Sequence, residues 1–148
     1  MILSLFTFVV VGVNLYTFDA LKGDAPSINL AGSLRFRTYR LAWLAGQASV
    51  APESQQQALR KAMTEDLATY EKIMNGLEKG DATLKLTPMD DAASLSQLNA
   101  LKPSWQTFQA AITGVIGSQQ GQAGQIAGQI HAMVPGYVAE MNKLVFLL

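Results

Sequence analysis

The first eighteen residues, Met1 to Phe18, carry no charged side chain, and this constrains the chain more than any other feature. Coiled as a helix they would span roughly 27 Å, close to the hydrocarbon core of a bilayer. The run Ile2-Leu-Ser-Leu-Phe-Thr-Phe-Val-Val-Val-Gly-Val13 continues through Leu15, Tyr16 and Phe18, and charge begins only at Asp19, Lys22 and Asp24. A cleaved signal peptide would want Lys or Arg in front and a small-residue cleavage site behind; neither is evident. A buried helix of a soluble core is the plainer alternative. At the far end Lys143 is followed by Leu-Val-Phe-Leu-Leu, which reads as the start of a second span. The expected organisation is a transmembrane helix over 1–18, a folded domain over 19–143 and the opening of another span over 144–148.

Composition removes several classes of function. The 148 residues suit one domain. Eleven basic and eleven acidic side chains cancel, which argues against a general nucleic-acid binder. With no cysteine there is no disulfide, thiolate metal site or cysteine nucleophile. His131 is the single histidine, so no multi-histidine metal site can form. No cofactor is expected.

Between the ends, apolar residues recur at helical spacing. Leu59, Met63, Leu67, Tyr70, Met74 and Leu77 form one stripe over 54–79, with Ser54 and Gln57 placed as a capping box and Gly80-Asp81 as a stop. Residues 81–90, with Thr87-Pro88, read as a loop. A helix from Asp90 or Asp91 carries Leu95, Leu98, Leu101, Trp105, Phe108, Ile112 and Val115; Pro103 inside it predicts a kink or two abutting helices. The glycine- and glutamine-rich stretch 117–129 reads as a turn and a weak helix start. The last helix carries Ile126, Ile130, Met133, Val134, Tyr137, Met141 and Leu144, with a bend at Pro135. The first helix continues from the membrane segment to about Val50, bending near Pro26. No alternating strand pattern occurs. The fold class is all-α: an antiparallel up-down four-helix bundle following an N-terminal transmembrane helix.

The informative stretch is Ile28 to Trp43. Arg35, Arg37 and Arg40 fall here with no acid between Asp24 and Glu53, a local charge of +3 in a neutral chain. On a helix, Leu30, Leu34 and Leu41 share one face with Ala45, while Ile28, Gly32, Arg35 and Tyr39 lie together roughly 120° away. A mid-helix glycine costs about 1 kcal/mol relative to alanine, so a close contact is expected at Gly32. Arg37 and Arg40 read more plainly as solvated, or as partners of Asp66 or Glu71. Trp105, Phe108, Tyr70, Met63, Met74 and Met133 read as core. Tyr39 and Trp43 have two readings, as walls of an anion site or as packing beneath it.

Ile28-Asn29, Ala31-Gly32-Ser33-Leu34-Arg35 and Tyr39-Arg40-Leu41 resemble the signature segment of nitrate/nitrite sensor histidine kinases. The same domain begins type IV pilus methyl-accepting chemotaxis transducers. The resemblance extends to the preceding span, the Leu101-x₃-Trp105-x₂-Phe108 helix and a last helix entering a second span. It departs at Leu30, where the kinases often have lysine, and at Phe36-Arg37, where Met-Gln is familiar. It implies a sensor domain in the periplasm, anchored in the bacterial inner membrane, that dimerises along its first helix. It further implies a single anion site at the dimer axis, where Arg35 of each subunit and Gly32 hold nitrate or nitrite. Ile28 and Tyr39, on the same face, complete the expected ligand-binding set.

Two readings of different kind follow, besides an enzyme. One is a ligand-sensing receptor domain that binds a small oxyanion and signals across the membrane by helix displacement. The other is a dimerisation or protein-binding module of a chemotaxis transducer with no small-molecule ligand. An enzyme is not expected. Glu65 and Asp66 are adjacent and point to different sides of a helix. His131 has no glutamate three residues before it, as a di-iron bundle requires.

Overall fold

The computed structural model describes the backbone from Ile2 onward and the side chains of residues 25–119 and 121–148. Four helices make up the chain: α1 (Ile2–Val50), α2 (Glu53–Lys79), α3 (Ala92–Gly117) and α4 (Gln120–Leu147). Among the described residues there is no β-strand, only an isolated bridge between Asp81 and Leu86. Each helix packs on the next, and α4 closes the bundle against α1 along its most extensive seam. The α2–α3 seam is the thinnest of the four.

The helix boundaries follow local chemistry. Asp91 caps α3, its carboxylate accepting from the Ser94 amide at 2.9 Å and the Ser94 hydroxyl at 2.8 Å. These bonds hold the Asp91 carboxyl below its usual range. Gly80 ends α2 at φ 86°, ψ 153°, a conformation that strains any residue with a Cβ. The connection that follows is not a plain loop: Ala82–Leu84 form one 3₁₀ turn, capped by the Asp81 side chain. The expected capping box at Ser54 is not used. Pro52 occupies the N-cap with no side-chain bond, because its fixed φ already sets the chain for the first turn.

The prolines expected to kink or bend the helices do not interrupt them. Pro103 lies inside a continuous α3, Pro26 inside α1 and Pro135 inside α4. At Pro103 only one ladder bond is lost, and the ring is exposed, where water can satisfy the freed carbonyl. The glycine-rich stretch is helical from Gln120, with the turn confined to Ser118 and Gln119. Its apolar members Ala123, Ile126 and Ile130 pack into the bundle and offset the low propensity.

Most of each stripe read from the sequence lines one core, with Leu59, Ile126 and Met133 only partly buried at its edge and Leu95 outside it; the buried set adds Thr38 of α1 and Ile73 of α2. At its centre four helices meet in a single layer. The rings of Tyr70 and Trp105 stack with centroids 4.2 Å apart and planes within 2°. Phe108 tilts against Tyr137 at 5.5 Å. A line of hydroxyls crosses the layer: Thr38 Oγ1 lies 3.0 Å from Tyr70 Oη, which lies 2.7 Å from Tyr137 Oη. Thr38 also donates to the Leu34 carbonyl at 2.7 Å. Burial pushes Tyr70 up to about 12 against the pull of its two hydroxyl partners, and pushes Tyr137 up as well.

Among the described residues no helix is long and apolar enough to cross a membrane. The span expected over residues 1–18 lies outside them. Of the residues expected to open a second span, Leu144 belongs to the core, while Phe146 is 90% exposed.

Replacing Tyr70 by Phe keeps the stack on Trp105 and removes the middle of the hydroxyl line. Tyr70→Phe is expected to lower unfolding stability in urea by about 1–3 kcal/mol, because Tyr137 loses its buried partner. An unchanged midpoint would show that the hydroxyl line adds nothing.

Candidate functional site

The outer face of α1 is apolar where it should be polar. Ile28 is 39% exposed, Phe36 65%, Tyr39 55%, Trp43 61% and Val50 73%. On a helical projection these five fall within an arc of roughly 80°, opposite the buried face of Ala31, Leu34, Thr38, Leu41 and Ala45. Gly32 and Gly46 lie in the same arc. The seam 28-32-36-39-43-46-50 advances by four and three residues, the spacing of a helix that meets another helix. A contiguous exposed apolar stripe of this kind is uncommon on the surface of a solvated helix.

All four candidate ligand residues, Ile28, Gly32, Arg35 and Tyr39, lie on this outer side of α1. The closest association among them is between Gly32 and Arg35. A Cβ built on Gly32 would lie 3.6 Å from Arg35 Nη2 and meet nothing else. Arg35 Nε points back to the Gly32 carbonyl at 3.4 Å. The guanidinium thus folds over the bare glycine, toward the centre of the apolar stripe. The close helix contact expected at Gly32 is not made within the protomer; the neighbour is this guanidinium.

Arg35 has one further partner, and the sequence did not reveal it. Nη1 donates to Asn142 Oδ1 on α4 at 2.9 Å. Nothing local distinguishes Asn142 in the run Met141-Asn142-Lys143, since the contact joins positions 107 apart. Among the described residues no carboxylate pairs with Arg35, whose charge is left uncompensated. Arg40 differs: its Nε lies 2.9 Å from Asp66 Oδ2, so it ties α1 to α2 as one reading of the sequence expected. Arg37 Nε is buried without a partner. Tyr39 and Trp43 do not pack beneath anything in the protomer, and both rings stand into solvent.

Four clefts among the described residues, of about 150 to 560 Å³, are open grooves lined by none of these candidate residues. One runs between α2 and α3 beside the Lys102–Glu78 ion pair, whose N···O distance is 2.7 Å. Among the described residues no group of three or more His, Asp or Glu is placed to hold a metal. His131 is exposed on α4. The feature with chemical content is therefore a surface: a guanidinium held by neutral oxygens, beside an apolar helix face.

Residues 16–130 match the family model of the type IV pili methyl-accepting chemotaxis transducer N-terminal domain, PilJ. The chain belongs to this family. The match takes in the whole outer face of α1 and most of the bundle, and it identifies a sensory, non-catalytic part of a chemotaxis transducer. It supports the transducer half of the resemblance drawn from Ile28–Leu41 and does not extend to the nitrate kinases. No curated protein and no solved structure matches the chain.

The space over Gly32 accepts a methyl group at ordinary contact distance. Gly32→Ala is expected to raise the stability of the bundle by about 1 kcal/mol in urea unfolding, through helix propensity alone. A loss of stability would mean that the glycine meets something besides Arg35.

Proposed function

We propose that this PilJ-family domain works as a homodimer packed along the outer face of α1, and that a small planar oxyanion, nitrate or nitrite, is held between the two Arg35 guanidiniums. The observation that carries this reading is the posture of Arg35 over Gly32: a cation without a carboxylate partner, laid toward the middle of a seam spaced for helix pairing. Brought face to face across a two-fold axis, two such cations repel. At 5–6 Å and an effective dielectric of 20 the cost is about 3 kcal/mol. An anion between them reverses the sign of that contribution. The planar fork of guanidinium matches a planar oxyanion through paired N–H donors.

The domain then acts as the receptor part of a chemotaxis transducer, tethered to the inner membrane through the segments at its two ends and facing the periplasm. The anion favours whichever α1 arrangement brings the two cations together. It shifts that balance only by its difference in affinity for the two arrangements. Because α1 packs most extensively on α4, a change in α1 pairing reaches the helix that closes the bundle.

A second reading rests on the length of the stripe. Apolar side chains are exposed from Ile28 to Val50, well beyond the reach of Arg35. A protein partner seated on this face, with no small ligand, would use all of it.

Calorimetry separates these. Nitrate or nitrite should bind the unchanged protein and fail to bind Arg35→Ala, with helicity the same in both by circular dichroism. Unchanged affinity in Arg35→Ala removes the site, and no anion binding at all leaves the protein-partner reading. Independently, Tyr39→Glu with Trp43→Glu should convert a dimer to a monomer in sedimentation. A dimer that survives both charges is built on another face.

A further inference from the structure

The hydrogen bond between Arg35 and Asn142 joins the candidate anion site on α1 to α4 through one polar contact. Arg35 has five N–H donors. Nη1 is held by Asn142 Oδ1 at 2.9 Å, and Nε is turned to the Gly32 carbonyl at 3.4 Å. These two anchors, one on each helix, fix the plane of the guanidinium. The Nη2 group, 3.6 Å from the Cβ position of Gly32, is then the part that reaches over the seam. Arginine has no acceptor, so the amide oxygen of Asn142 must face it. An exposed arginine with one anchor would sample many rotamers, and ordering it would weaken any ligand.

We infer that Asn142 is the positioning residue of the anion site: it aims Arg35 at the dimer axis and makes anion affinity depend on the register of α4 against α1. The inference rests on the oxyanion reading above and deepens it. Met141, the neighbour of Asn142, is buried against Thr38 Oγ1 at 3.8 Å, and Thr38 lies one turn beyond Arg35. A slide of α4 by a fraction of a turn carries Asn142 away from Nη1 and frees the guanidinium. By reciprocity, an anion that needs the anchored Arg35 holds α4 in the anchored register. The neutrality of Asn142 matters as much as its place. A carboxylate at this position would keep the anchor and cancel the charge that the anion requires.

The test compares nitrate binding by calorimetry to the full chain in detergent, unchanged and as Asn142→Ala and Asn142→Asp, with helicity and melting followed without nitrate. The inference expects about a tenfold loss of affinity in Asn142→Ala, the range of a hydrogen bond to a charged group. It expects a deeper loss in Asn142→Asp, although that variant retains the acceptor and folds with the same helicity. Equal losses in the two variants, accompanied by a lowered melting temperature, would reduce Asn142 to a packing residue and overturn the inference. So would binding unchanged in both, while leaving the anion site itself standing. Absence of nitrate binding to the unchanged chain removes the oxyanion reading, and this inference with it.

Discussion

The contact on which the rest of the molecule depends is the layer around Tyr70. Its ring stacks on Trp105 of α3, and its hydroxyl sits between Thr38 of α1 and Tyr137 of α4. Apolar packing alone is non-directional and tolerates small slides of one helix on another. A line of hydroxyls makes each slide cost more, because it leaves a buried polar group unmatched until the line re-forms. The layer therefore fixes height as well as proximity. One turn from Thr38 along α1 is Arg35, and beside Met141 on α4 is Asn142, so the same register that satisfies the hydroxyls places the surface guanidinium against its amide partner.

The two sides of α1 show how one helix is divided between folding and function. Its inner side is leucine, alanine and a single threonine, and it is completely enclosed. Its outer side carries five large apolar residues and an arginine, with no acid among residues 25–50. An isolated bundle gains nothing from tryptophan and phenylalanine in water. It is this exposed stripe, within the segment matched by the transducer family model, on which the proposed pairing rests.

Much of this architecture was legible from residue spacing. The stripes in 54–79, in 91–115 and in 126–144 are strongly periodic, and their large members are the ones that fill the core. The segment around Gly32 stood out because a mid-helix glycine calls for a reason. What misled was local chemistry: Pro103 allowed two abutting helices and the glycines at 121, 124 and 128 read as part of a turn, yet single helices run through them. Tertiary burial of Leu101, Trp105, Ile130 and Val134 outweighs a missing backbone bond. Thr38 gave no sign of its role, since a lone threonine on a leucine face looks like a small substitution until Tyr70 and Tyr137 are placed beside it. Asn142 could not be found at all by pattern, because its meaning exists only across the α1–α4 seam.

The hydroxyl layer has one further implication. The layer itself is made of groups that carry no charge, with Tyr70 raised to about 12 and Tyr137 raised as well. The contacts of this layer therefore stay neutral when the surrounding fluid turns acid, whereas the Arg40–Asp66 and Lys102–Glu78 ion pairs between the same helices are weakened by acid and by salt. The layer thus acts as an internal ruler for the four helices, graduated in hydroxyl and ring contacts rather than in charges.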